Sequence, residues 1–220
     1  MTDFALARRN MIDGQLRPNR VNNALLLAAI ADLPRERFLP AALRSVAYAD
    51  DDVPLGSGRC LMEPMVLARL IQTLQPQEED KALVVASGTG YGTALLARLV
   101  KSVVAVEADP RLAGSAEQTI RELGIANVQH VAGRLEDGHA AGAPYDVILI
   151  EGAVQHVPAS IVAQLAEGGR LGTVIAGSSP GVLGVAQLTV KEGGVASGRP
   201  IFDAGTPTLP GFSTPPRFTF

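Results

Sequence analysis

The sequence is short of the residues that build several kinds of site. Its one cysteine, Cys60, excludes an internal disulfide. The only histidines are His130, His139 and His156, and neither they nor Cys60 fall at zinc-ligand spacing, so no metal site is expected. No apolar run approaches the roughly 20 residues that cross a bilayer, since LLLAAIA and LVVA soon meet polar or turn residues. The opening MTDFALARRNMIDGQLRPNR has neither the apolar core nor the small-residue cleavage site of a secretory signal, which points to the cytoplasm. Charge of one sign is also missing: 19 basic residues face 22 acidic ones, a net charge of −3, so neither nucleic acid nor membrane is an expected partner. What is present is 47% hydrophobic residues with 23 glycines and 15 prolines spread along 220 positions, the makings of one globular α/β domain with a small appendage.

The first 75 or so residues read as helical and irregular. Leu25, Leu26, Ala29, Ile30 and Leu33 recur at helical spacing behind Asn22 and Asn23 as caps, and Pro34 ends them. A turn-rich stretch from Tyr48 to Gly58 leads to a second helix opened by Pro64. From Ala82 the pattern changes to short apolar runs: Leu83 to Ala86, Val103 to Val106, Val128 to Ala132 and Val147 to Ile150. Helical stretches, Tyr91 to Leu99, Ala113 to Leu123 and Pro158 to Leu165, separate or follow them. That alternation predicts a mainly parallel sheet covered by helices. Runs at Leu171 to Ile175, Val185 to Val190 and Pro200 to Phe202 add strands, the last two joined at Gly193-Gly194. The predicted organisation is an N-terminal helical extension over 1–75 and an α/β domain over 76–220. The last 21 residues hold five prolines and the aromatics Phe202, Phe212, Phe218 and Phe220, which predicts a segment packed along the surface or a lid over a pocket.

The segment Leu83-Val84-Val85-Ala86-Ser87-Gly88-Thr89-Gly90-Tyr91-Gly92 reads as a buried strand, a glycine turn and a helix start. Such a turn lets backbone approach a ligand closely, with free N–H groups at the helix start. Seventeen residues beyond Gly90, the next strand ends in Glu107, where a carboxylate can accept both hydroxyls of a ribose. NAD enzymes and S-adenosylmethionine enzymes share this pairing. Thr93 stands where the nicotinamide fingerprint wants its third glycine, so the loop looks more like that of a methyltransferase.

Further blocks occur in order: R-N-M-I-D-G-Q-L from Arg9, L-P-R-E-R-F-L-P from Leu33, A-Y-A-D from Ala47, V-P-L-G-S-G from Val53, A-P-Y-D from Ala143 and Q-L-A-E-G-G-R-L from Gln164. With the glycine loop they resemble the protein-L-isoaspartate O-methyltransferase family from about Arg8 to Arg170. The resemblance implies a Rossmann-like methyltransferase fold, a mostly parallel seven-stranded sheet with helices on both faces. It also implies S-adenosylmethionine as cofactor, S-adenosylhomocysteine as product, and damaged proteins or peptides bearing isoaspartate as substrates. Cofactor-binding positions would be Ser87, Gly88, Thr89, Gly90, Tyr91, Glu107, Ala108, Arg134 and Leu135. The acceptor would lie near Pro54, Leu55, Glu63, Pro64 and Glu151.

Several positions depart from the family pattern. Met62 stands where T-I-S-x-P has the serine expected to help position the acceptor carboxylate, and Arg59 is an alternative contact for that carboxylate. Val84 and Ala86 replace the acid and first glycine of E-I-G-x-G-x-G-Y. Arg134 replaces the aspartate of G-D-G, a donor for an acceptor. Two further readings therefore stay open: a non-catalytic member acting as a binding module, and a methyltransferase with another acceptor.

Overall fold

Asp3 and Asn23 open the first two helices of the computed structural model, which describes residues 3–179 and 181–212. Each side chain accepts a backbone N–H three residues on, from Leu6 and Leu26, both at 3.0 Å, satisfying a donor that the helix itself leaves free. Helix α1 (Phe4–Met11) runs into a π-type turn (Ile12–Leu16), and α2 (Ala24–Asp32) stops where Pro34 favours an extended Leu33. Of the expected apolar stripe, Leu26, Ala29, Ile30 and Leu33 are buried; Leu25 is 72% exposed, because the core lies on the Leu26 and Ile30 side. Two 3-10 turns (Arg35–Phe38 and Ala41–Val46) follow. The stretch expected to be turn alone forms an antiparallel ribbon, β1 (Val53–Gly56) and β2 (Arg59–Leu61). Gly56, Ser57 and Gly58 all have positive φ and reverse the chain between them. Helix α3 (Pro64–Leu74) starts on Pro64 and ends at Gln75, φ 47°. Arg170 caps it, donating to the Leu74 and Gln75 carbonyls at 3.0 Å each.

From Lys81 the strands and helices alternate as predicted. They are β3 (Lys81–Val85), α4 (Tyr91–Ala97), β4 (Ser102–Glu107), α5 (Pro110–Glu122), β5 (Val128–Ala132), β6 (Tyr145–Val154), α6 (Ala159–Val162), β7 (Leu165–Ile175), β8 (Gly184–Glu192) and β9 (Val195–Ala204). One seven-stranded sheet results, in the order β5-β4-β3-β6-β7-β8-β9. Its first five strands are parallel; β8 and β9 are antiparallel and joined at Gly193-Gly194. Helix α6 is shorter than its expected span, because Leu165 already belongs to β7.

Central strands β3 and β6 are covered on both sides, which is why they read as unbroken apolar runs. Val84, Val147 and Leu149 pack against residues of α2, α3 and α4, including Leu26, Leu67 and Leu95. On the other face Leu83, Val85, Ile148 and Ile150 meet Leu135, Ile161 of α6 and, from the C-terminal segment, Leu209 and Phe212. That segment is held to the end of β6: Ala153 N–H donates to the Pro207 carbonyl at 3.1 Å, and Leu209 N–H to the Ala153 carbonyl at 2.8 Å. Gly152 makes the approach possible, since a Cβ there would stand 2.5 Å from Leu209 Cγ. Of the expected aromatic anchors, Phe202 and Phe212 pack on the domain, while Phe218 and Phe220 lie outside the described residues.

Candidate functional site

Strand order reverses between β3 and β6, the point where an open α/β sheet leaves a crevice at its carboxyl ends. After Val85 the chain turns through Ala86, Gly88 and Gly90, with φ of 62°, 57° and 95°. Glycine takes these values freely, whereas the Ala86 Cβ makes its turn cost about 1 kcal/mol. Gly90 is also pressed against α5: a Cβ there would lie 3.0 Å from that of Ala116. Gly88 has room, its nearest neighbours being Leu55 Cδ1 at 3.8 Å and Arg59 Nη2 at 3.9 Å.

Glu107, at the end of β4, reaches across to this turn. Its Oε2 accepts the Gly88 N–H at 2.7 Å; its Oε1 accepts the Ala108 and Asp109 amides at 2.9 and 3.0 Å. Arg59 completes the arrangement from β2. Its Nη1 donates to Glu107 Oε1 at 2.6 Å and its Nη2 to the Ala86 carbonyl at 2.7 Å, while Nε is buried without a partner. The two side chains are only 4% and 2% exposed. Ser87 Oγ and Thr89 Oγ1 are likewise buried without partners. Beside the pair opens a cavity of about 540 Å³, lined by Arg59, Ala108, Asp109, Arg134, Leu135 and Pro210 among others. Its size suits a nucleoside-sized ligand. Across the β1–β2 ribbon a second cleft of about 530 Å³ is lined by Leu55, Thr89, Arg37, Arg44 and Arg111 among others.

A further titratable group lies under the crevice. Glu151 was expected to follow its strand; it sits inside β6, which is prolonged by the pairing of Ala153 with the C-terminal segment. Burial pushes its carboxyl up to about 8, against the opposing pull of Arg59 and the supporting charge of Glu107. Oε1 has no partner. Gly92 provides the space, since a Cβ there would collide with this carboxylate.

A family model described as protein-L-isoaspartate(D-aspartate) O-methyltransferase (PCMT) matches residues 7–190. The chain belongs to that family. A protein-L-isoaspartate O-methyltransferase of Koribacter versatilis (strain Ellin345) is 40% identical over 171 residues, 78% of this chain and 77% of the relative. The enzyme named protein-L-isoaspartate O-methyltransferase 1 of Rhodopseudomonas palustris (strain HaA2) is 38% identical over 170 residues, 77% and 69% of the two chains. A solved protein-L-isoaspartate O-methyltransferase superposes with a TM-score of 0.80 at 26% identity, covering 93% of this chain and 66% of that one. A Plasmodium falciparum structure provisionally described as the same enzyme, in complex with S-adenosyl-L-homocysteine, shares the fold: TM-score 0.76 at 19% identity, covering 95% and 99%. The Rossmann-like methyltransferase fold is thus that of the family.

The fold brings most of the residues singled out by the family motifs to one end of the sheet. Ser87, Gly88, Thr89 and Gly90 form the turn, with Glu107 and Ala108 beside it; Arg134 and Leu135 line the neighbouring cavity. Tyr91 turns away: its ring packs edge-on to Phe38 at 5.3 Å and under the Arg35 guanidinium at 4.9 Å. Met62, at the family serine, is wholly buried in the core, so its side chain meets no acceptor. Pro54 is exposed, Leu55 reaches the turn, and Pro64 is buried as the first residue of α3. Glu63 lies beside Asp50, Asp51 and Asp52; partial burial and then these charges push it up to about 7. Arg134 is tied to Glu136 at 2.8 Å. Cys60 is pushed up to about 12 by burial and the Asp52 charge, which leaves a thiol and no nucleophile.

The motifs had not signalled several participants. Arg35 is fully buried and donates to the Ala47 and Met62 carbonyls, both at 2.6 Å, so it fixes the segment carrying Met62. Its place in P-R-E-R-F was visible; its burial was not. Gly92 and Pro210 matter only through what packs on them, and no spacing rule exposes that.

Proposed function

We propose that this chain is an S-adenosylmethionine-dependent carboxyl O-methyltransferase that acts in the cytoplasm on isoaspartyl residues of damaged proteins. The observation that carries the reading is Glu107 hydrogen-bonded to the Gly88 turn at the sheet's switch point, beside a nucleoside-sized cavity. Residues 1–75 act as an N-terminal helical extension and 76–220 as the methyltransferase-like domain. Both contribute to one core, in which Leu26, Phe38 and Leu67 cluster with Val84 and Leu95.

The residues present fit the cofactor once the Arg59 guanidinium leaves Glu107 and the Ala86 carbonyl. Gly88 leaves space above the turn, Ser87 and Thr89 hold unused hydroxyls, and Ala108 and Leu135 supply apolar walls. When bound, S-adenosylmethionine supplies a methyl group activated by its sulfonium. Glu107 would hold the ribose hydroxyls, the glycine turn would admit the ligand's close approach, and Arg134 would offer donors at the rim. Family membership supports the isoaspartyl acceptor.

An acceptor carboxylate is ionised near pH 7, so no general base is required of the chain. What the residues must do is align that carboxylate and keep water out. Leu55 and Thr89 border the cleft where it would enter, and Arg44 gives that cleft a cation, Arg37 and Arg111 being paired with Glu122 and Asp109. Glu151, with a pKa of about 8, is mostly protonated at pH 7 and adds little repulsion.

The test is transfer of labelled methyl from S-adenosylmethionine to an isoaspartyl peptide, compared with its aspartyl isomer and with a folded Glu107→Gln control. Labelling of the isoaspartyl peptide alone, abolished or strongly reduced in the control, is expected. No labelling by a protein that binds S-adenosylhomocysteine would refute this acceptor. The buried Met62 favours a second reading, a family member that binds without methylating, and that is the result it predicts.

A further inference from the structure

Arg59 sits where a ligand of the glycine turn would find its polar anchors. A carboxylate and a carbonyl face the crevice there, from Glu107 and Ala86, and one guanidinium bridges both, at 2.6 and 2.7 Å. Its Nη2 also lies 3.9 Å from where a Gly88 Cβ would project, over the part of the turn that glycine keeps open. We infer that Arg59 is a built-in competitor for the ligand site: it stands in for the ligand's donors, and a nucleoside ligand binds only by expelling it. This rests on the reading that the ligand is of the S-adenosyl class.

Three observations support a displaceable group in place of a permanent structural pair. Arg59 Nε is buried and unpartnered, so the guanidinium is incompletely satisfied where it lies. The strand that carries it is short, with a register shift in the ribbon between Pro54 and Gly56 and positive φ at Gly56, Ser57 and Gly58. The side chain also has somewhere to go. At the wall of the adjoining cavity stand Asp109 and Glu136, each paired to an exposed arginine, Arg111 and Arg134, that water can solvate in its place. Either carboxylate can therefore take the guanidinium at the rim and leave the cavity to the ligand. Pro210 of the C-terminal segment closes over the ribbon, with a ring carbon 3.2 Å from where a Gly58 Cβ would be.

The consequence is a reduced apparent affinity. A ligand that requires the open arrangement binds in proportion to the fraction of molecules already open, and the buried ion pair keeps that fraction small. Glu107 is then bifunctional: anchor for Arg59 in the free protein, anchor for the ribose in the complex.

Calorimetric titration with S-adenosylhomocysteine of the full chain and of Arg59→Gln, each checked for native circular dichroism, tests this. The expected result is binding at least about tenfold tighter in Arg59→Gln. Should that variant fail to fold, Arg59→Lys keeps a charge for Glu107 and gives up the second bond to Ala86; a gain of about threefold or more is expected. Equal or weaker binding in the folded variant overturns the competitor role and leaves the S-adenosyl reading standing. No binding by either the unmodified chain or the folded variant overturns both.

Discussion

Replacing Glu151 by glutamine removes a buried acid without changing its shape, and the structure sets the size of the effect. The carboxyl titrates at about 8 in the folded chain against 4.5 for the free group. Between those values the folded protein holds a proton that the unfolded chain has lost. Stability therefore falls as pH rises, by about 1.4 kcal/mol per unit for one proton. Glutamine has no such term. The stability difference, variant minus unmodified chain, should be under about 1 kcal/mol at pH 5. It should grow to about 3 kcal/mol at pH 7 and level off above pH 8. Urea unfolding followed by circular dichroism at pH 5, 6, 7, 8 and 9 measures this, with equal m-values confirming comparable transitions. Titrating groups that do not feel the Glu151 charge act equally in both chains and cancel. Two stability profiles that stay parallel from pH 5 to pH 8 would refute the raised pKa and the burial argument behind it.

The contact between Gly92 and Glu151 predicts a coupled pair. Gly92→Ala should destabilise by about 2 kcal/mol despite alanine's helix propensity, because the new methyl meets the carboxylate. In a Glu151→Ala background the same change should be neutral or stabilising; a double-mutant cycle by urea unfolding without coupling would rule the contact out. At the other end of the fold, Gln75 is an exposed residue with φ 47° closing α3. Gln75→Gly should raise stability by about 1 kcal/mol and Tm by roughly 2–4 °C, since only its backbone bonds to Arg170; an unchanged Tm by calorimetry would contradict the strain.

Legibility differed by kind of residue. Strands β3, β4 and β6 were readable because both their faces are buried and only apolar side chains satisfy that; β5, at the sheet edge with no residue buried, was readable only from its place in the alternation. The caps at Asn23 and Pro64 were readable because capping is local chemistry. The ribbon of β1 and β2 was missed, since its strands of four and three residues show too little alternation to stand out from turn. Glu151 was singled out by its place in the chain, but its burial depends on Gly92, 59 positions away, and on the C-terminal segment that lengthens β6. Arg59 was weighed as a contact for the acceptor carboxylate. The structure puts it on Glu107 instead, because the ribbon delivers it to the glycine turn.

By itself, the sequence determined what depends on residue type and short spacing: the α/β alternation, the glycine turn, the acid at the end of β4, and the family motifs. Only the tertiary structure decided which charges meet. Arg59 and Glu107 lie 48 residues apart along the chain and share one buried hydrogen bond. Removing both from water is tolerable only with close partners, and folding alone brings those partners within reach. The sheet order fixes the crevice, and the packing of the ribbon and the C-terminal segment fixes what occupies it.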